Sequence, residues 1–309
     1  MKKSLIALAF GTLALGMAEF AMMGILPYVA SDFGISISQA GHLISAYALG
    51  VCFGAPVLIL ARRKSLKHIL LALVALIIVG NLCASMAPNY WVMMVGRFVS
   101  GLPHGAYFGV ASIVASKLAD KGKSSEAVSI MIAGMTVANL FGVPLGTSLS
   151  HMISWRTTFL FVGLWGVIVL YYIWRWVPVV DGLHDNGFKG QFRFLRQPAP
   201  WLILGATALG NGGVFCWYSY ISPLLTNVSG FSENSITALM VLAGFGMVVG
   251  NLASGRMSDR YTPGRVLMMA QGGICIVLLA IFFLSSNPWI SLLLMFLCTA
   301  GLFAVSSPE

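Results

Sequence analysis

Residues 11–16 read Gly11-Thr-Leu-Ala-Leu-Gly16, and residues 205–210 read Gly205-Ala-Thr-Ala-Leu-Gly210. Each hexad sits inside a long apolar run, and the echo continues at nearly the same offset. Pro27 meets Pro223, Gly34-Ile-Ser meets Gly230-Phe-Ser, and Gly54 meets Gly250, a separation of 194–196 residues throughout. A repeat whose two copies enter their apolar runs from the same side predicts two parallel halves related by an axis along a membrane normal.

The rest of the chain supports a membrane setting. Of 309 residues, 58% are hydrophobic and 9% charged, with a mean hydropathy of +0.89. A soluble domain carries roughly 25% charged residues and has too little interior to bury this much apolar side chain. Ten runs approach the ~20 residues that a helix needs to cross ~30 Å of hydrocarbon: 4–30, 40–61, 68–87, 90–116, 127–151, 155–177, 199–226, 235–255, 266–286 and 288–306. The first begins like a signal peptide, but it stays apolar to Ala30 and reads as a retained helix.

Charge fixes the expected orientation. Lys2 and Lys3, then Arg62, Arg63, Lys64 and Lys67, then Lys117, Lys121 and Lys123, then Arg175, Lys189, Arg193 and Arg196, and finally Arg256, Arg260 and Arg265 fall in alternate gaps. The other gaps hold Arg156 alone, and Arg97 lies within a run. The net charge of +9 therefore belongs to the positive-inside rule rather than to nucleic acid. The N-terminus is expected on the cytoplasmic side of a bacterial inner membrane. Cys52, Cys83, Cys216, Cys275 and Cys298 lie in apolar runs without CxxC or histidine spacing, so neither a disulfide framework nor a metal is expected. No phosphate loop, zinc-protease motif or nucleophile–base set occurs, so no cofactor and no enzyme activity are expected.

Small residues recur every fourth position as Gly134, Ala138, Gly142 and Gly146, as Gly101, Gly105 and Gly109, and as Ala46, Gly50 and Gly54. Such stripes let helix backbones approach closely, for static packing or for rocking. Charges inside the spans are expensive and point to function. Glu19 falls ~16 Å from the outer end of its run and Arg97 ~10 Å from the outer end of its own, so both could line one cavity, paired directly or through water. Arg97, Gly101 and His104 share a helix face at i, i+4, i+7. His42, Asn139, Asn211, Trp217 and Tyr218 are further polar or aromatic candidates for contacting a solute.

These residues carry a resemblance. Gly16-Met-Ala-Glu-Phe20 through Leu26-Pro27, Arg97-Phe-Val-Ser-Gly101, and the stripe ending Gly142-Val-Pro-Leu-Gly146 are similar to the span-1, span-4 and antiporter span-5 signatures of the major facilitator superfamily. More narrowly, they resemble the arabinose efflux permease-like branch of the drug:proton antiporters. The resemblance implies an all-α membrane protein, a facilitator-type bundle of two pseudo-symmetric halves. An N-terminal six-helix bundle would span 1–178, a cytoplasmic linker 179–198, and a C-terminal bundle 199–309. It implies ten spans of an expected twelve, because the chain stops at Pro308-Glu309, within or at span 10.

It further implies proton-coupled efflux of a small sugar- or drug-like solute by alternating access, in a monomer whose partners are substrate, protons and lipid. Glu19 and Arg97 would couple protons. His42, His104, Asn139, Asn211, Trp217 and Tyr218 would meet substrate. Gly54, Gly142, Pro144, Gly146, Asp259 and Arg260 would gate. The gap after Gly54 reads Ala61-Arg62-Arg63-Lys64 and lacks the family's acid, whereas Asp259-Arg260 keeps it. Facilitated uptake and a non-transporting truncated remnant or membrane scaffold are the alternative readings.

Overall fold

The computed structural model describes residues 2–57, 64–182, 196–258 and 260–304. All regular structure among them is helical. In chain order the helices are α1 (Lys2–Phe33), α2 (Ile37–Val57), α3 (Leu66–Ser85), α4 (Tyr90–Gly101), α5 (Pro103–Leu118), α6 (Ser124–Val137), α7 (Val143–Met152), α8 (Trp155–Trp176), α9 (Pro198–Ser219), α10 (Ile221–Asn227), α11 (Ile236–Ser258), α12 (Pro263–Leu284) and α13 (Pro288–Ala304).

Three apolar runs are broken inside. Pro103 lacks an amide hydrogen, so the helical hydrogen bonding is interrupted where α4 meets α5 at Leu102, which keeps helical dihedrals, and Tyr90–Leu118 runs on as one span. Pro144 follows a π-helical turn, Ala138–Gly142, that joins α6 to α7. Pro223 follows the break at Tyr220 between α9 and α10. Pro27, by contrast, lies inside an unbroken α1.

Among the described residues, seven helical rods are long and apolar enough to cross a membrane, against the ten runs expected. Pro288–Ala304 is an apolar helix of 17 residues, somewhat short of a full crossing. Ile37–Val57 borders residues outside the described set, and Pro198–Ser219 carries Asn211 among Gly205, Gly210, Gly212 and Gly213. The protein is a multi-pass membrane protein.

The central element is α1. Its buried residues run almost without interruption from Ser4 to Ala30, and it touches α2, α5, α6, α7, α8 and α10. One apolar cluster joins Leu8, Leu15, Ile77, Tyr107, Val110 and Val169. A second joins Phe20, Met23, Val143, Tyr218, Met240 and Met295, and so bridges α1 to α9, α11 and α13. Close crossings depend on missing side chains. A Cβ on Gly134 would overlap the Ala9 carbonyl, one on Gly50 the Phe98 carbonyl, and one on Gly54 the Leu102 carbonyl. Arg156 donates to Asp32 at 2.5 Å and to the Ala87 carbonyl at 3.1 Å, tying the starts and ends of three helices at one end of the bundle.

The segment 183–195 of the expected linker, Arg62 and Arg63 of the expected loop motif, Lys189, Arg193, Asp259, and Pro308-Glu309 lie outside the described residues.

Candidate functional site

Glu19 borders a cavity of about 780 Å³ between α1, α5, α6, α9, α11 and α13. Ser129, Asn251 and Phe303 line it toward the helix ends on the side of Lys121, Lys123, Arg256 and Arg260, so the cavity extends toward the end of the bundle with the basic loops. At its other end Phe20 closes it. The Phe20 ring stacks with Phe215 at 6.1 Å and meets Tyr218 edge-on at 5.9 Å. Beyond Phe20 the backbones come together: Gly244 of α11 packs against Asn139 and Leu140 in the π turn, and Gly41 of α2 packs under the Tyr220 hydroxyl.

A polar chain leads inward from Glu19. The carboxylate is 3.7 Å from His104 Nε2. His104 Nδ1 lies 2.8 Å from the Tyr47 hydroxyl, which also reaches the Leu15 carbonyl at 3.5 Å. Behind Tyr47 lies Arg97, fully buried at 0% exposure. Its guanidinium donates to the Ala18 carbonyl at 2.5 Å and the Leu43 carbonyl at 3.4 Å. It also sits over the rings of Tyr47, at 4.5 Å, and Phe159, at 5.5 Å. Carbonyl dipoles and aromatic faces take the place of a carboxylate partner. Glu19 and Arg97 are thus neighbours through Tyr47 and the α1 backbone rather than a direct ion pair.

The other expected site residues are scattered. Asn211 lines the cavity, and its Oδ1 has no hydrogen-bond partner. Asn139 is buried in the π turn, with both amide atoms unpartnered. Tyr218 is buried behind Phe20. Trp217 faces a separate hollow with Leu224, Leu278 and Phe282. His42 is exposed, bonded to the Tyr90 hydroxyl at 3.1 Å on the outer face of α2 and α4, and is not at the cavity.

Of the expected gating residues, Gly54, Gly142, Pro144 and Gly146 fall at helix crossings. Cβ atoms on Gly142 and Gly146 would press on Met17 at 2.6 Å and Thr158 at 2.7 Å, Pro144 is buried beside them, and Arg260 is exposed. Tyr47, Phe20, Phe108 and Phe215 are site residues that the sequence reading did not single out. A hydroxyl in the middle of an apolar run was the available signal for Tyr47.

A helical bundle of this kind, with an acid-bearing first helix facing a central cavity, is the architecture of membrane transporters that open to one side. The chain belongs to the Major Facilitator Superfamily, whose family model matches residues 8–308. Its members move solutes across membranes and are not enzymes. AraJ of Escherichia coli strain K12 is 50% identical over 309 residues, covering 100% of this chain and 78% of AraJ. The inner membrane transport protein YdhP of the same organism is 36% identical over 308 residues, covering 98% of this chain and 78% of YdhP. The crystal structure of a D-xylose–proton symporter superposes with a TM-score of 0.79 at 15% identity, covering 99% of this chain and 80% of that one. A bacterial homologue of the lysosomal transporter Spinster, in an inward-facing unoccupied conformation, gives 0.69 at 19% identity, covering 99% and 73%.

Proposed function

We propose that the protein exports a small sugar- or drug-like solute across the bacterial inner membrane in exchange for protons, by alternating access. Glu19 carries the reading. An ionisable group at mid-membrane depth on the wall of a wide cavity is costly unless it is used, and protonation removes the desolvation cost of its charge. The state that binds a proton and the state that binds solute can then favour different openings of the bundle. A proton moving inward down 100 mV releases about 2.3 kcal/mol, enough to concentrate a neutral solute about fiftyfold before any pH gradient is counted.

The glycine-rich span ending Gly142-Val-Pro-Leu-Gly146 supports export over uptake, and the similarity to YdhP, an inner membrane transport protein, supports the inner membrane. The alternation of basic gaps supports a cytoplasmic N-terminus, and the internal repeat supports two parallel halves. Within the cavity, Asn211 and His104 offer polar contacts, and Phe20, Phe108 and Phe215 offer flat apolar ones. Gly54, Gly142, Pro144 and Gly146 let the crossings rock. His42, Asn139, Trp217 and Tyr218 do not enter this binding set.

Inverted membrane vesicles containing the chain and an internal pH dye test the reading. Pentoses or hydrophobic aromatic solutes added outside an acid-loaded vesicle drive proton release if exchange occurs. Glu19→Gln is expected to abolish solute-driven proton movement. Solute-driven proton movement equal to that of the unaltered chain would refute the role of Glu19.

A further inference from the structure

We propose that Tyr47 is a positioning residue that fixes the tautomer of His104, so that His104 Nε2 and the Glu19 carboxylate together hold one exchangeable proton. The inference rests on the proton-exchange reading above and assigns His104 to the proton side of that site.

The argument begins with what each atom can do. A tyrosine hydroxyl has one proton to give, while a carbonyl oxygen can only accept. The Tyr47 hydroxyl lies between the Leu15 carbonyl, at 3.5 Å, and His104 Nδ1, at 2.8 Å. If it donates to Leu15, it accepts from Nδ1, and the Nδ1 position carries the imidazole proton. The other ring nitrogen, Nε2, then presents a lone pair. That nitrogen is the one 3.7 Å from Glu19. Which ring nitrogen is protonated is generally set by the hydrogen bond that the other makes, and the acceptor-only Leu15 carbonyl favours the Nδ1–H form.

The surroundings hold this arrangement in place. The His104 ring stacks on Phe108 at 5.3 Å and meets Tyr47 edge-on at 5.8 Å, so it cannot swing freely. The Tyr47 ring is held in turn beneath the Arg97 guanidinium at 4.5 Å. The charged and titratable groups packed around Glu19 are Arg97 from α4, Tyr47 from α2 and His104 from α5; α9 contributes the uncharged Asn211 to the same cavity.

The proton step balances simply. Without the proton, the pair is a carboxylate facing a neutral imidazole. One proton from cavity water then binds the pair: the Glu19 carboxyl takes it and offers it to the Nε2 lone pair, and the net charge changes from −1 to 0. Nδ1–H continues to donate to Tyr47 and Tyr47 to Leu15, so no other proton moves. Release to the opposite opening reverses the step.

Nitrogen-15 NMR of the full chain, labelled at histidine in lipid nanodiscs, reads the tautomer directly, with His104→Gln identifying the signal. The expected result is protonated Nδ1 and unprotonated Nε2 at high pH. Tyr47→Phe is expected to give a mixture of tautomers and to lower the pH of half-maximal solute-driven exchange by about one unit, because Nε2 is no longer held as the acceptor of the shared proton. Glu19→Gln is expected to move the His104 titration as well. Protonated Nε2 in the unaltered chain, or a His104 titration indifferent to both substitutions, overturns the proposal. The NMR arms require no solute. Should they behave as expected while no solute drives proton movement, it is the exchange reading that fails and the pair that stands.

Discussion

Arg97 marks what a single residue can reveal in sequence and what it cannot. Its place about 10 Å inside a span suggests that it could reach the interface. Instead it is fully buried, because two backbone carbonyls and two ring faces converge on it from α1, α2 and α8. A planar guanidinium can serve all of these at once; an ammonium is a compact point charge and cannot. Arg97→Lys is therefore expected to lower the thermal midpoint of the detergent-solubilised protein, at a cost of about 2 kcal/mol for weakened charged hydrogen bonds. An unchanged midpoint would mean that the guanidinium fork contributes nothing to holding α4 on α1 and α2. Glu19 and His104 were legible as polar side chains in apolar runs. His42 looked the same on paper yet sits on an exposed face, since one sequence cannot say which side of a helix its neighbours cover. Tyr47 was missed because a tyrosine in an apolar run is also what an interface belt or an ordinary core contains.

At the scale of helices, the apolar runs located the rods but not their breaks. Pro103, Pro144 and Pro223 all fall within predicted spans, as does Pro27, and only the first three accompany a change of helix. Proline bars a hydrogen bond in each case; whether the backbone resumes as one rod depends on packing that the local sequence does not encode. The glycine stripes show the same division. Gly50 and Gly54 of α2 press on α4, and their counterparts 196 residues later, Gly246 and Gly250 of α11, press on the Phe296 and Ala300 carbonyls of α13. One crossing is thus built twice, as the sequence repeat suggests. Gly109, read as part of a similar stripe, faces open space. Gly54→Ala and Gly250→Ala are each expected to destabilise the solubilised protein by about 1–3 kcal/mol through backbone overlap. Gly109→Ala is expected to be neutral or to stabilise by up to about 1 kcal/mol, as helix propensity dictates. Equal effects at all three positions, read by thermal unfolding, would show that the crossings yield to an added methyl group.

For the whole molecule, the two ends of the bundle differ, and that difference sets what a chemical probe can reach. The cavity leads toward the basic loops, while Phe20, Tyr220 on Gly41, and Gly244 on the π turn close the opposite path. If the basic loops are cytoplasmic, a cysteine replacing Ser129 on the cavity wall should react with a membrane-impermeant thiol reagent in inverted vesicles and not in right-side-out cells, once the native cysteines are replaced. Met86, in the exposed turn after α3, should show the reverse as Met86→Cys. Interchanged labelling would invert the orientation. Reaction of the Ser129 position from both sides would mean that the outer closure opens spontaneously. Adding Glu19→Gln extends the test to coupling. A neutral side chain imitates the protonated acid, so if protonation biases which end opens, the labelling rate at position 129 must change. A tenfold change corresponds to a shift of about 1.4 kcal/mol between the two openings. A rate indifferent to the substitution would leave Glu19 bordering the cavity without governing it, since a group that interacts equally with both states cannot move the balance between them.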